Sequence, residues 1–225
     1  MEIADGIYCF KGIRAANSYL YIAGSKGFVI DTGLTRNGKK IASQIRALGK
    51  DSLKIEAIIL THSDIDHSGS AAELKRITGA KVAIHEDDAP SLSGDRELKR
   101  VKGLAGAFFG VFMKFMNFQK VKPDIILKEG DKIGGLEVIH CPGHTEGSIC
   151  LYKPGKAVFV GDVLRTDGSG NVKGPAKSMS LDIEKAWKSV RKIAKLDFDI
   201  LLPGHGKPLL HDASKKLKKL LKEAD

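Results

Sequence analysis

This chain of 225 residues lacks several features that would assign it to a special class. It has three cysteines, Cys9, Cys141 and Cys150. An odd number at irregular spacing argues against a disulfide framework and for buried free thiols. Cys141 stands out because it closely precedes His144. The longest apolar run, Leu104 to Met113, is too short to cross a bilayer. The opening Met1-Glu2-Ile3-Ala4-Asp5 lacks the basic-then-apolar pattern of a secretory signal. The expectation is a soluble, cytoplasmic protein with no transmembrane segment. There is no internal repeat, low-complexity tract or proline-rich linker. Arginines and aromatics do not interleave as they do in proteins that grip single-stranded nucleic acid.

The remaining composition is ordinary for a globular protein: 42% hydrophobic, 28% charged and 25 glycines. The length suits one large core, and a single domain over residues 1–225 is expected. Lys and Arg outnumber Asp and Glu by 37 to 27, a formal charge of +10. That balance suits anionic partners such as nucleic acid, acyl carriers or phosphates. Much of it comes from Lys215, Lys216, Lys218, Lys219 and Lys222, which surround Leu217, Leu220 and Leu221. The spacing predicts an amphipathic helix with a solvated lysine face.

Short β-rich segments at Ile7–Phe10, Ser18–Ile22 and Phe28–Ile30 are separated by glycine turns. A helical pattern follows from Thr35 to Leu48. Ala57-Ile58-Ile59-Leu60 reads as a strand buried on both faces. A polar loop, Thr61 to Gly69, leads into a helix at Ala71–Ile77 and a strand at Lys81–His85, a βαβ pattern. Later segments predict two short strands within Asp131–Cys141, a hairpin of Ser148–Tyr152 with Ala157–Val160, a helix at Asp182–Leu196 and a strand at Ile200–Leu202. Strands dominate both halves, which predicts an α/β fold of two sheets packed face to face under helices, a four-layer αββα sandwich.

The densest chemistry lies in Thr61-His62-Ser63-Asp64-Ile65-Asp66-His67, directly after an apolar strand. Loops at the carboxyl ends of strands are where α/β sheets place ligands. Four such side chains are costly to bury unless a cation neutralises them. Imidazole with carboxylate suits zinc, iron or manganese. Three further segments place a metal-binding side chain just after a strand: Cys141-Pro142-Gly143-His144, Gly161-Asp162 and Pro203-Gly204-His205.

This ordered set resembles the metallo-β-lactamase superfamily, with its His-x-His-x-Asp-His loop followed by Gly-His, Gly-Asp and Gly-His. The likeness runs from about Asp5 to His205. It implies the αββα metallo-β-lactamase fold and two divalent metal ions. Carried over by position, His62, Asp64 and His144 would hold one metal. Asp66, His67 and His205 would hold the second, with Asp162 bridging. Asp31, in the turn Val29-Ile30-Asp31-Thr32-Gly33, would orient a ligand. The chain departs from the common pattern at Asp64, which stands where histidine is usual. A carboxylate there shifts preference toward iron or manganese, although zinc, the first expectation, accepts it too.

The resemblance further implies a hydrolase in which a metal-bridging hydroxide attacks an ester, thioester, lactone or amide of a small, partly apolar or acyl substrate. Asp66 would orient the nucleophile and return a proton to the leaving group. The alternatives are an iron oxidoreductase of the same fold, mononuclear or dinuclear, and a phosphodiesterase or nuclease. No nuclease-type insertion is evident, so nucleic acid is not the expected partner.

Residues 87–124 break the rhythm. Leu98, Val101, Ala105, Phe108, Phe112 and Phe115 form a helical stripe, widened by Phe109, Met113 and Met116. It is read either as a lid over an apolar substrate pocket or as a helix packed on the core or on a second copy in a homodimer. A membrane-surface contact is a third reading.

Overall fold

The computed structural model describes residues 1–50, 52–97 and 118–224. The chain divides into two compact units, Met1–Ile126 and Leu127–Asp225. The phenylalanine-rich stripe expected between Leu98 and Met116 lies outside the described residues.

In the first unit the strands are β1 (Glu2–Ala4), β2 (Ile7–Cys9), β3 (Tyr19–Ala23), β4 (Lys26–Ile30), β5 (Lys54–Ile59), β6 (Lys81–His85) and β7 (Ile125–Leu127), whose last residue crosses the boundary. They form one sheet in that order. The first four pair antiparallel, with short turns joining β1 to β2 and β3 to β4 and a longer loop joining β2 to β3. β4 pairs parallel with β5, and β5 with β6, and each parallel step is bridged by helix. The helices are α1 (Gly38–Arg46), α2 (Ile65–Ser68), α3 (Ala71–Thr78) and α4 (Ala89–Ser93). Ile58, Leu60, Val82 and Ile84 meet Ile41 and Leu74 in one buried cluster. α1 is shorter than the expected Thr35–Leu48, because Arg36 takes a positive φ of 69° and breaks the helical path.

The second unit contains β8 (Lys132–Ile133), β9 (Leu136–His140), β10 (Ile149–Lys153), β11 (Ala157–Gly161), the hairpin β12 (Arg165–Thr166) with β13 (Val172–Lys173), α5 (Ile183–Ile193), β14 (Ile200–Pro203) and α6 (Ala213–Ala224). Its main sheet runs β14-β11-β10-β9-β8. α5 presents Ala186, Val190 and Ile193 to the core, and α6 presents Leu217. Leu220 and Leu221 pack partly buried beside Leu217, leaving the lysines of α6 on the other side. Among the described residues, no helix is long and apolar enough to cross a membrane.

Candidate metal centre

In the first unit the donor loop grows out of β5. Its second half, Ala57 to Ile59, is apolar and buried without alternation because both faces are covered there. The Leu60 amide still bonds Ala83, and the chain then turns at Thr61. What was read as a plain loop contains the short helix α2, which carries Asp66 and His67. Asp64 stands at its N-cap, yet its side chain makes no capping bond. Ile65, fully buried, anchors the helix. His62 and His67 are both buried, with ring centroids 4.1 Å apart. Asp64 Oδ2 lies 3.7 Å from His62 Nε2, and Asp66 Oδ2 lies 3.9 Å from His67 Nε2. The side chain of Asp66 is 25% exposed, the most accessible of the four.

Asp31 organises this group. It adopts a positive φ of 56°, a strained conformation that aspartate tolerates better than most residues. Its Oδ1 accepts the Thr61 N–H at 2.8 Å. Its Oδ2 accepts the Thr61 hydroxyl at 2.8 Å and faces His67 Nδ1 at 2.8 Å. The His67 carbonyl is gripped in turn by the Thr32 amide at 2.7 Å and hydroxyl at 2.9 Å. A carboxylate can only accept, so His67 Nδ1 carries the proton and Nε2 presents its lone pair. Thr61 passes the same logic to His62. Its hydroxyl proton goes to Asp31, so the 3.0 Å contact with His62 Nδ1 makes that nitrogen the donor. Both histidines thus present Nε2 in the form that binds a metal.

In the second unit the parallel pairing of β11 with β14 sets Gly161 against Pro203. Asp162 and His205 therefore leave the sheet at the same end, and the Gly204 amide bonds the Gly161 carbonyl at 2.8 Å. His144 arrives from the loop after β9. One oxygen, Asp162 Oδ2, lies 3.5 Å from His144 Nε2 and 3.4 Å from His205 Nε2. Bonds to its carbonyls hold the His144 loop: the Asp182 amide donates to the Gly143 carbonyl at 3.0 Å, and the Ser189 hydroxyl donates to the Pro142 carbonyl at 2.8 Å. Gly143 has a φ of 135°, and a Cβ there would stand 2.2 Å from the Ala186 nitrogen. Only glycine allows that approach to the start of α5.

Within each unit, then, the residues singled out in the sequence converge: His62, Asp64, Asp66 and His67 in the first, His144, Asp162 and His205 in the second. Sequence reading missed the relay through Thr61 and the part played by Asp88. Asp88 is buried, and its Oδ2 accepts the Ser63 N–H at 2.7 Å. Its one available signal was position, just beyond the carboxyl end of β6, the strand next to β5. Cys141 and Cys150 are both buried, and burial pushes the Cys150 thiol well up, with the neighbouring Cys141 adding to it. The Cys150 thiol therefore presents no reactive thiolate.

The family model for the metallo-beta-lactamase superfamily matches residues 12–205. The human acyl-coenzyme A thioesterase MBLAC2 is 28% identical over 91% of this chain and 79% of its own length. TTHA1623, solved in a di-iron-bound form, is 28% identical with a TM-score of 0.67 and covers 87% of this chain and 89% of its own. The class B3 di-zinc metallo-beta-lactamase LRA-12 from an Alaskan soil metagenome is 22% identical with a TM-score of 0.68, covers 99% of this chain and 91% of its own, and shares the fold. The α/β metallo-β-lactamase fold expected from the motifs is the fold of this protein. The chain belongs to the metallo-beta-lactamase superfamily.

Proposed function

We propose that the chain acts as one metallo-β-lactamase-like domain that binds two divalent metals and hydrolyses an ester-like bond, a thioester first among the candidates. The observation that carries the reading is the tautomer relay from Asp31 through Thr61. It prepares the Nε2 atoms of two buried histidines beside two carboxylates, while the second unit supplies two further histidines on one carboxylate oxygen. Imidazole and carboxylate donors of this kind would suit a pair of borderline divalent ions. His62, Asp64 and His144 would hold one, Asp66, His67 and His205 the other, and Asp162 both. Bound metals would supply Lewis acidity and ionise water near neutral pH. Asp66, partly exposed beside His67, would hold the proton that the leaving group needs. The thioesterase activity printed for MBLAC2 supports an acyl substrate.

A substrate panel tests the proposal. Chelator-sensitive turnover should appear on acyl thioesters or esters and be weaker on lactones, amides and phosphodiesters. Turnover of phosphodiesters alone would overturn it. A second reading, an iron oxidoreductase, is favoured by one observation, the carboxylate of Asp64 beside His62 where histidine is usual. It predicts bound iron with oxygen consumption and no thioester turnover.

A further inference from the structure

Aspartate at the start of a helix ordinarily caps that helix by accepting from its first-turn amides. Asp88 stands at the N-cap of α4 and makes no side-chain capping bond. Its carboxylate is buried and reaches to the donor loop, where Oδ2 accepts the Ser63 N–H at 2.7 Å. On the other side of the same residue, the Ser63 carbonyl accepts the Ser68 hydroxyl at 2.9 Å. Ser63 lies between His62 and Asp64. The two bonds therefore hold the two peptide units that join these donors. A peptide unit is rigid, so pinning one on each side of Ser63 fixes the torsions that set the separation of His62 from Asp64.

Burying a carboxylate is costly, and here the helix also forgoes a favourable cap. The bond to Ser63 offsets part of that cost. We propose that Asp88 is a positioning residue for the metal held by His62 and Asp64, acting through Ser63, with Ser68 as the opposing half of the clamp. The role rests on the dinuclear reading above. It is separate from that of Asp31, which bonds Thr61 and His67 and makes no bond to Ser63 among those described.

The experiment is zinc titration against a chromophoric chelator, resolving two dissociation constants for the wild type, Asp88→Ala, Asp88→Asn and Ser68→Ala. Partners that hold a metal ligand from behind typically contribute about 10–100-fold in metal affinity. Asp88→Ala should weaken one constant by about that factor and leave the other unchanged. Asp88→Asn keeps an acceptor for the Ser63 amide and should recover most of the loss. Ser68→Ala should weaken the same constant. A general loosening of the fold would weaken both constants together, and that result overturns the role. So does an Asp88→Ala protein with both constants unchanged. If Asp88→Ala does not fold, Ser68→Ala decides: an unchanged pair of constants overturns the clamp, and loss at one site supports it. A wild-type chain that binds no zinc removes the dinuclear reading itself. Two wild-type sites that the variants leave intact remove only the role of Asp88.

Discussion

The two units hold their donors by different means. In the first, buried carboxylates do the holding: Asp31 fixes His67 and Thr61, and Asp88 fixes the peptide between His62 and Asp64. In the second, uncharged bonds and glycine do it: the carbonyls of the His144 loop accept from the Asp182 amide and the Ser189 hydroxyl, and the Gly204 amide ties the Asp162 and His205 turns together. Side-chain carboxylates can set a tautomer as well as a position. The amide and hydroxyl bonds to the Gly143 and Pro142 carbonyls set position alone, but they leave no charge to compensate in the interior. The first unit should therefore fail through its acids, the second through its glycines.

Gly143→Ala should have the largest effect. The new Cβ would meet the Ala186 nitrogen at 2.2 Å, on a backbone with φ of 135°. A loss of more than about 3 kcal/mol is expected, or failure to fold, measured by urea denaturation. Asp31→Ala should follow. It strands the buried Thr61 amide, costing about 1–3 kcal/mol, and frees the His67 tautomer, weakening metal binding about 10–100-fold. If Asp31→Ala instead proves harmless while Gly143→Ala unfolds the protein, the contrast between the units is wrong for the first of them.

Asp162→Ala should remove more metal than Asp64→Ala, because one Asp162 oxygen lies near two histidines and Asp64 lies near one. Equal losses in the two variants would count against a shared carboxylate. The smallest effect concerns acid. Asp167 caps the turn between β12 and β13, accepting from the Asn171 amide and side chain and from the Ser169 amide, and its pKa falls to about 2. A carboxyl lowered on folding stabilises the folded state above its ordinary value near 3.9. That contribution is lost as pH falls through the window from about 4 to about 2. The Asn171 amide resonance should shift over this range, followed by NMR.

Much of this arrangement was legible in the sequence, and the reason is local. All seven donors follow strands whose apolar runs are unmistakable, as in Ala57 to Leu60, and their turns carry glycine or short polar residues. Strand β6 at Lys81–His85 matches its expectation residue for residue. What escaped was long-range. α2 is a four-residue helix inside a polar run, with too few turns to show a period. β12 and β13 are two-residue strands that exist through pairing with each other. Asp88 reads as half of an acidic Asp87-Asp88 pair, the usual mark of a solvated loop, and only folding brings it to Ser63, 25 residues earlier. The choice between lid and interface for the phenylalanine-rich stripe falls on residues outside those described.

The most direct test of the account is elemental analysis of the purified protein before and after exhaustive chelation, paired with thioester turnover on the same samples. The account predicts two metals per chain before chelation, none after it, and turnover that is lost with the metal and returns when it is restored. Full turnover from a metal-free chain would contradict it.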